Sequence, residues 1–184
     1  MAVITQRGIY KQIGPVAKPA GLLQAEQAVL GVLIALALTL FVVQGFCVSG
    51  ACMEPHLYTG ERVLAWKLAY AVQEPKRGDI VIFHYPRDPR QIYVKRIVGL
   101  PGETVSMRAG QVLVDNKTLP EPYRVRAAHG DMAARFIPHD QYFVMGDNRD
   151  VSDDSRYWGD LPRARIIGRA VASYWPLRQS RILH

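Results

Sequence analysis

The sequence predicts a mostly-β domain, an antiparallel sheet in an open barrel or sandwich, behind one N-terminal transmembrane α-helix. Three observations carry this. An uncharged run occupies positions 27–53, between Glu26 and Glu54. Beyond it, short runs rich in β-branched and aromatic residues alternate with Gly, Pro and Asp. No long amphipathic period separates those runs, so there is no sign of βαβ units.

The helix comes first. Positions 28–43 (AVLGVLIALALTLFVV) hold only Thr39 as a polar side chain, and Gly45-Phe46-Cys47-Val48 prolongs the run past Gln44. A bilayer span takes about 20 apolar residues, which 28–48 supplies, whereas core helices of that length usually carry a polar face. Arg7, Lys11 and Lys18 precede the run, and Glu54 and Glu61 are the first charges after it. The positive-inside tendency then puts residues 1–27, a Gly- and Pro-bearing tail, in the cytoplasm and residues 49–184 outside.

The strands follow in order: 62–68, 79–85, 93–100, 103–107, 111–115, 142–145 and 166–174. Arg108-Ala109-Gly110 between the fourth and fifth reads as a hairpin turn. The stretch 104–141, polar and proline-bearing from 119 to 139, reads as an excursion within a domain of residues 49–176, and 177–184 as a C-terminal tail.

Composition narrows the function. The chain has 184 residues, 23 Lys+Arg against 16 Asp+Glu, and two cysteines. That is one domain with extras. Two cysteines make neither a disulfide framework nor a four-ligand zinc site, and no histidine pair lies at ligand spacing. No metal or cofactor is expected. The net charge of +7 is scattered among acids after residue 49, without a nucleic-acid-binding signature. Anionic lipid headgroups are the better partner for it.

Four short stretches carry chemistry in a fixed order. They are Ser49-Gly50-Ala51-Cys52-Met53-Glu54-Pro55, Arg77-Gly78-Asp79, Val94-Lys95-Arg96-Ile97-Val98-Gly99, and Gly146-Asp147-Asn148-Arg149 running on to Ser152-Asp153-Asp154-Ser155-Arg156. Gly168-Arg169-Ala170 and Tyr174-Trp175-Pro176 close the series. Together, behind an apolar helix, they resemble the bacterial type I signal peptidases, the Ser/Lys leader peptidases.

The resemblance implies a membrane-anchored endopeptidase that removes N-terminal signal peptides from exported preproteins. Its place is the cytoplasmic (inner) membrane of a bacterium, with the catalytic domain outside. It sets Cys52 at the nucleophile position and Lys95 at the general-base position. Ser152 matches a serine that hydrogen-bonds that lysine, and Asp154 and Arg156 match a bracing pair. The Cys52 N–H serves an oxyanion hole, at which Gly50 stands where some members add a serine hydroxyl. Met53 and the strand 79–85 are candidates for the substrate pocket. Two departures stand out: Cys52 is a thiol where the family has a hydroxyl, and His56 replaces the usual threonine.

The chemistry is consistent with the residue types. Amide hydrolysis needs a nucleophile, a base and donors for the oxyanion. A free thiol titrates near pH 8.5, so a lysine beside it can take its proton and form a thiolate–ammonium pair. Two rival readings use the same residues. Ser49-Gly50-Ala51-Cys52 after an apolar run looks like a lipoprotein signal, with Cys52 lipidated and residues 1–51 removed. A non-catalytic signal-peptide-binding homologue would keep the cleft without the reaction.

Overall fold

The computed structural model describes residues 20–124 and 128–183, without the side chains of residues 20, 22, 23 and 38–40. The chain divides into two compact units, 1–39 and 40–184. Helix α1 (Ala20–Val42) is the described part of the first and runs into the start of the second. Among the described residues no helix is long and apolar enough to cross a membrane. Residues 1–19 of the expected tail lie outside the described residues, and 20–27 are helical rather than tail.

The apolar run is not one helix to residue 48. It changes at Val43 into strand β1 (Val43–Cys47), paired antiparallel with β2 (Arg62–Trp66) in the register Val43↔Trp66 to Cys47↔Arg62. Hydropathy alone cannot find this boundary, because an apolar edge strand and an apolar helix look alike to it. Within β1, Gly45 lies close to Tyr174: a Cβ there would stand 2.7 Å from the Tyr174 hydroxyl.

A short helix α2 (Ala69–Val72) leads to strands β3 (Ile80–His84) and β4 (Ile92–Gly99). Next come β5 (Thr104–Arg108), β6 (Gln111–Val114), β7 (Lys117–Thr118), β8 (Met132–Phe136) and β9 (Gln141–Met145). Helix α3 (Ser155–Trp158), β10 (Leu161–Pro162), β11 (Ile166–Trp175) and β12 (Arg181–Ile182) complete the chain. The expected strands after the helix are all present, and every pairing is antiparallel.

Two sheets result. The larger runs β1-β2-β11-β3-β4-β9-β10, with β12 beside β11; the smaller runs β7-β6-β5-β8. The stretch 104–141 is therefore more than an excursion. It contributes a second sheet, whose Val105, Met107, Val112 and Val114 pack with Val98, Ile137 and Phe143. Its β5–β6 turn sits at Ala109 (φ 46°) and Gly110 (φ 76°), the positive-φ pair a two-residue hairpin needs.

Strand β3 is buried on both faces. Ile80 and Ile82 join a core with Met53, Leu57 and Val63, while Val81 and Phe83 join another with Ile97, Val144 and Trp158. Nor is 177–184 a free tail as far as it is described. Ala172↔Ile182 and Ser173↔Arg181 pair, Arg181 reaches Glu61 at 2.8 Å, and Leu183 is buried in the first core. An apolar residue and an arginine with a buried carboxylate partner draw this segment onto the sheet.

Candidate active site

Cys52 and Lys95, 43 positions apart, meet. Lys95 Nζ donates to Cys52 Sγ at 2.9 Å. Lys95 projects from the middle of β4 and is 3% exposed, whereas Cys52, in the loop after β1, is half-buried. Both line a cleft of about 450 Å³, to which residues 46–52 and 91–95 contribute with Val63, Ile82, Val151 and Asp153. Three strands separate β1 from β4 in the sheet order, so the sheet coils to bring them to one cleft.

The Cys52 loop is held from both ends. His56 N–H and Leu57 N–H both donate to Met53 O at 2.9 Å, and Met53 and Leu57 are fully buried. Met53 is thus a plug in the core, not a wall of the cleft; of the strand expected at 79–85, Ile82 reaches the cleft. Asn148 N–H donates to Cys52 O at 3.0 Å and Asn148 Nδ2 to Ala51 O at 3.1 Å. Among the described residues no acceptor engages the Cys52 N–H. Gly50, at φ 97°, donates its N–H to Thr59 Oγ1 at 3.1 Å.

The segment 146–156 backs this loop. Gly146 N–H is shared by Ser152 Oγ and Asp154 Oδ2, each at 3.1 Å. Here the structure differs from expectation: among the described residues no hydrogen bond joins Ser152 to Lys95. The buried hydroxyl is turned to the Gly146 amide, and the lysine to the sulfur. Asp154 also caps α3, accepting from Arg156 N–H, and Arg156 returns Nε at 2.8 Å and Nη2 at 2.9 Å. Arg156 reaches the carbonyls of Arg149 and Ser152 as well. Burial lowers the affinity of this guanidinium for its proton, but Asp154 outweighs it and the net shift is upward.

Gly146 is glycine because of close approach. A Cβ there would stand 2.3 Å from Ser152 Oγ and 2.5 Å from Cys52 O. Gly146→Ala is expected to cost about 1–3 kcal/mol in chemical denaturation and to alter the alkylation rate of Cys52 by displacing its carbonyl.

Arg96 and Asp147 complete the support, without a role in the sequence reading. Arg96 Nε and Nη2 grip Asp147 at 2.9 and 2.8 Å, and Nη1 donates to Gly78 O at 2.8 Å. Both side chains are essentially sealed, at 2% and 1% exposure. Burial raises the Asp147 carboxyl, but the Arg96 hydrogen bonds and nearby His56 outweigh it, and the net shift is downward. His56 Nδ1 stands 3.2 Å from Asp147 Oδ2, though not aligned for a hydrogen bond. An arginine in a strand that reads as buried had to have a buried partner; that was the available signal. Arg149 likewise pairs with Glu121 and donates to Gly146 O.

A family model described as signal peptidase, peptidase S26, matches residues 23–175. The chain is 36% identical over 157 residues to signal peptidase I of Leptolyngbya laminosa, covering 82% of this chain and 77% of that one. It is 37% identical over 155 residues to probable signal peptidase I-2 of Synechocystis sp., covering 81% and 71%. It is 36% identical over 139 residues to thylakoidal processing peptidase 1 of Arabidopsis thaliana, covering 70% of this chain and 41% of that one. A crystal structure of a signal peptidase I from Enterococcus faecalis aligns with a TM-score of 0.49 at 34% identity, covering 53% of this chain and 97% of that one. With the family model spanning most of its length and relatives this similar, the chain belongs to the signal peptidase family S26.

Proposed function

We propose that this chain is a membrane-anchored signal peptidase that cuts with Cys52 as nucleophile and Lys95 as base. The observation that carries the reading is the 2.9 Å contact between a half-exposed thiol and a buried amine at the wall of an open cleft. Cys52 passes its proton to Lys95, and the sulfur attacks the scissile carbonyl. The Cys52 N–H lies free to meet the oxyanion. The Lys95 ammonium then protonates the departing amine, and once neutral it activates the water that cleaves the thioester.

The substrate is an extended preprotein segment with small residues at the cut. β4 pairs with β9 only from Arg96 onward, so its stretch Ile92–Lys95 keeps one open edge leading to Lys95. β1 ends the sheet at the other wall. A peptide adding to these edges makes backbone hydrogen bonds whatever its sequence. Val29, Leu30, Val32, Leu33, Ile34, Leu36 and Phe41 are exposed along α1, an apolar surface that supports seating this helix against lipid. Substrate and enzyme then share one membrane plane. The lipoprotein reading fares worse, since cutting before Cys52 would remove β1, which is paired with β2 over five residues.

The test is mass spectrometry of a preprotein incubated with the full chain in detergent. Slow release of one mature product, abolished by Cys52→Ala, is expected. No product at long times would leave the non-catalytic binder as the reading.

A further inference from the structure

We propose that Cys52 and Lys95 are also a site of reversible oxidative cross-linking, in which hydrogen peroxide entering the cleft drives a sulfenamide bond between Sγ and Nζ. This goes beyond peptide cleavage and stands whether or not the site cleaves. It needs three things: a thiol the oxidant can reach, an amine in contact with it, and no competing partner for that amine. Cys52 is half-buried and lines the cleft. Lys95 Nζ is 2.9 Å away. Among the described residues no carboxylate pairs with Lys95; beyond the sulfur, Nζ has the Tyr93 ring, at 5.3 Å from its centroid.

The chemistry closes on these groups and the peroxide. The Cys52 thiolate attacks one peroxide oxygen and the O–O bond breaks. The departing hydroxide takes a proton from the Lys95 ammonium and leaves as water. Cys52 is then a sulfenic acid and Lys95 a neutral amine. The Nζ lone pair attacks sulfur, the S–N bond forms, the S–O bond breaks, and the second water carries off the proton lost by nitrogen. Sulfur is oxidised by two electrons and the peroxide is reduced to water. Sulfenic acids condense with a nearby nitrogen in this way, and a reducing thiol restores the cysteine. Contact favours the amine over a second peroxide, because held groups react with effective molarities of about 10⁵ M or more.

Cys47 is the other thiol of the cleft wall. Its Sγ is directed at Val48 O, 3.9 Å away, and both cysteines are free. The group in contact with the Cys52 sulfur is Lys95 Nζ, at 2.9 Å, and the cross-link forms there. It consumes both groups of the site at once.

The test uses the full chain carrying Cys47→Ser, which removes a disulfide of the same mass change, treated with hydrogen peroxide. A loss of about 2 Da, a peptide cross-link joining positions 52 and 95, and reversal by dithiothreitol are expected. The same chain with Lys95→Gln is expected instead to gain about 16 Da and then about 32 Da. Stepwise oxygen gain at Cys52 itself with Lys95 present, a gain of about 14 Da from an S–O–N bridge joining positions 52 and 95, or an unmodified Cys52 would each overturn the proposal.

Discussion

Exchanging Lys95 for methionine is expected to lower preprotein cleavage by about 10²–10⁴-fold, the range in which a positioned acid–base group contributes. The size follows from the lysine's two duties. In the proposed mechanism it takes the thiol proton before attack and gives a proton to the leaving amine. A thiolate is a good leaving group, so without that second proton the tetrahedral intermediate expels sulfur and returns to substrate. Methionine is close to lysine in length and suits a position that is 3% exposed, so folding is expected to survive. An unchanged denaturation midpoint would establish that. Cys52→Ser makes the complementary comparison. It places a hydroxyl beside the same amine, as the family pattern has it, and is expected to cleave. A serine variant that stays inert with Lys95 in place would mean that the cleft is not a working site.

The largest effect on stability is expected from Asp147→Asn. Breaking one side of a buried ion pair costs about 3–5 kcal/mol, because the surviving charge stays buried without its partner. Arg96 and Asp147 are 2% and 1% exposed and share two hydrogen bonds, so exposure does not dilute the effect. The pH dependence has a definite sign. Burial acts to raise the Asp147 carboxyl, yet Arg96 and His56 bring it below the usual carboxylate range. A depressed carboxyl stabilises the fold above its unfolded value of about 3.9, and that stability is lost as pH falls through the folded value. The gap between the parent chain and Asp147→Asn is therefore expected to be full at neutral pH and to close as pH drops below about 4. Denaturant titrations of the full chain in detergent at several pH values measure it. A gap that persists unchanged in acid would mean that the aspartate charge is not what Arg96 needs.

How much was legible in the sequence depended on the range of the signal. Strands announced themselves by local pattern, as with 79–85 and the observed Ile80–His84, and so did the hairpin at 108–110. The boundary at Val43 did not, because β1 is defined by its pairing with β2 and not by its own residues. The second sheet was legible only in half: β5 and β6 showed as strands, whereas 119–139 looked polar because most of β8 is exposed. The meeting of Cys52 and Lys95 was legible only through the order of motifs, since no local rule joins positions 43 apart. Ser152 shows the limit of that route. Motif order put it near Lys95, but the direction of its hydroxyl is set by the amide of Gly146. Arg96 stood beside Lys95 in the same motif, yet its role needed Asp147 from another strand's end.

The most direct measurement is the alkylation rate of Cys52 at neutral pH, read by mass spectrometry in the full chain with Cys47→Ser, with Lys95 present and with Lys95→Ala. If the amine activates the sulfur, the thiol beside Lys95 reacts several-fold faster than the thiol without it. Equal rates in the two proteins would contradict the pairing on which both the cleavage mechanism and the cross-link rest.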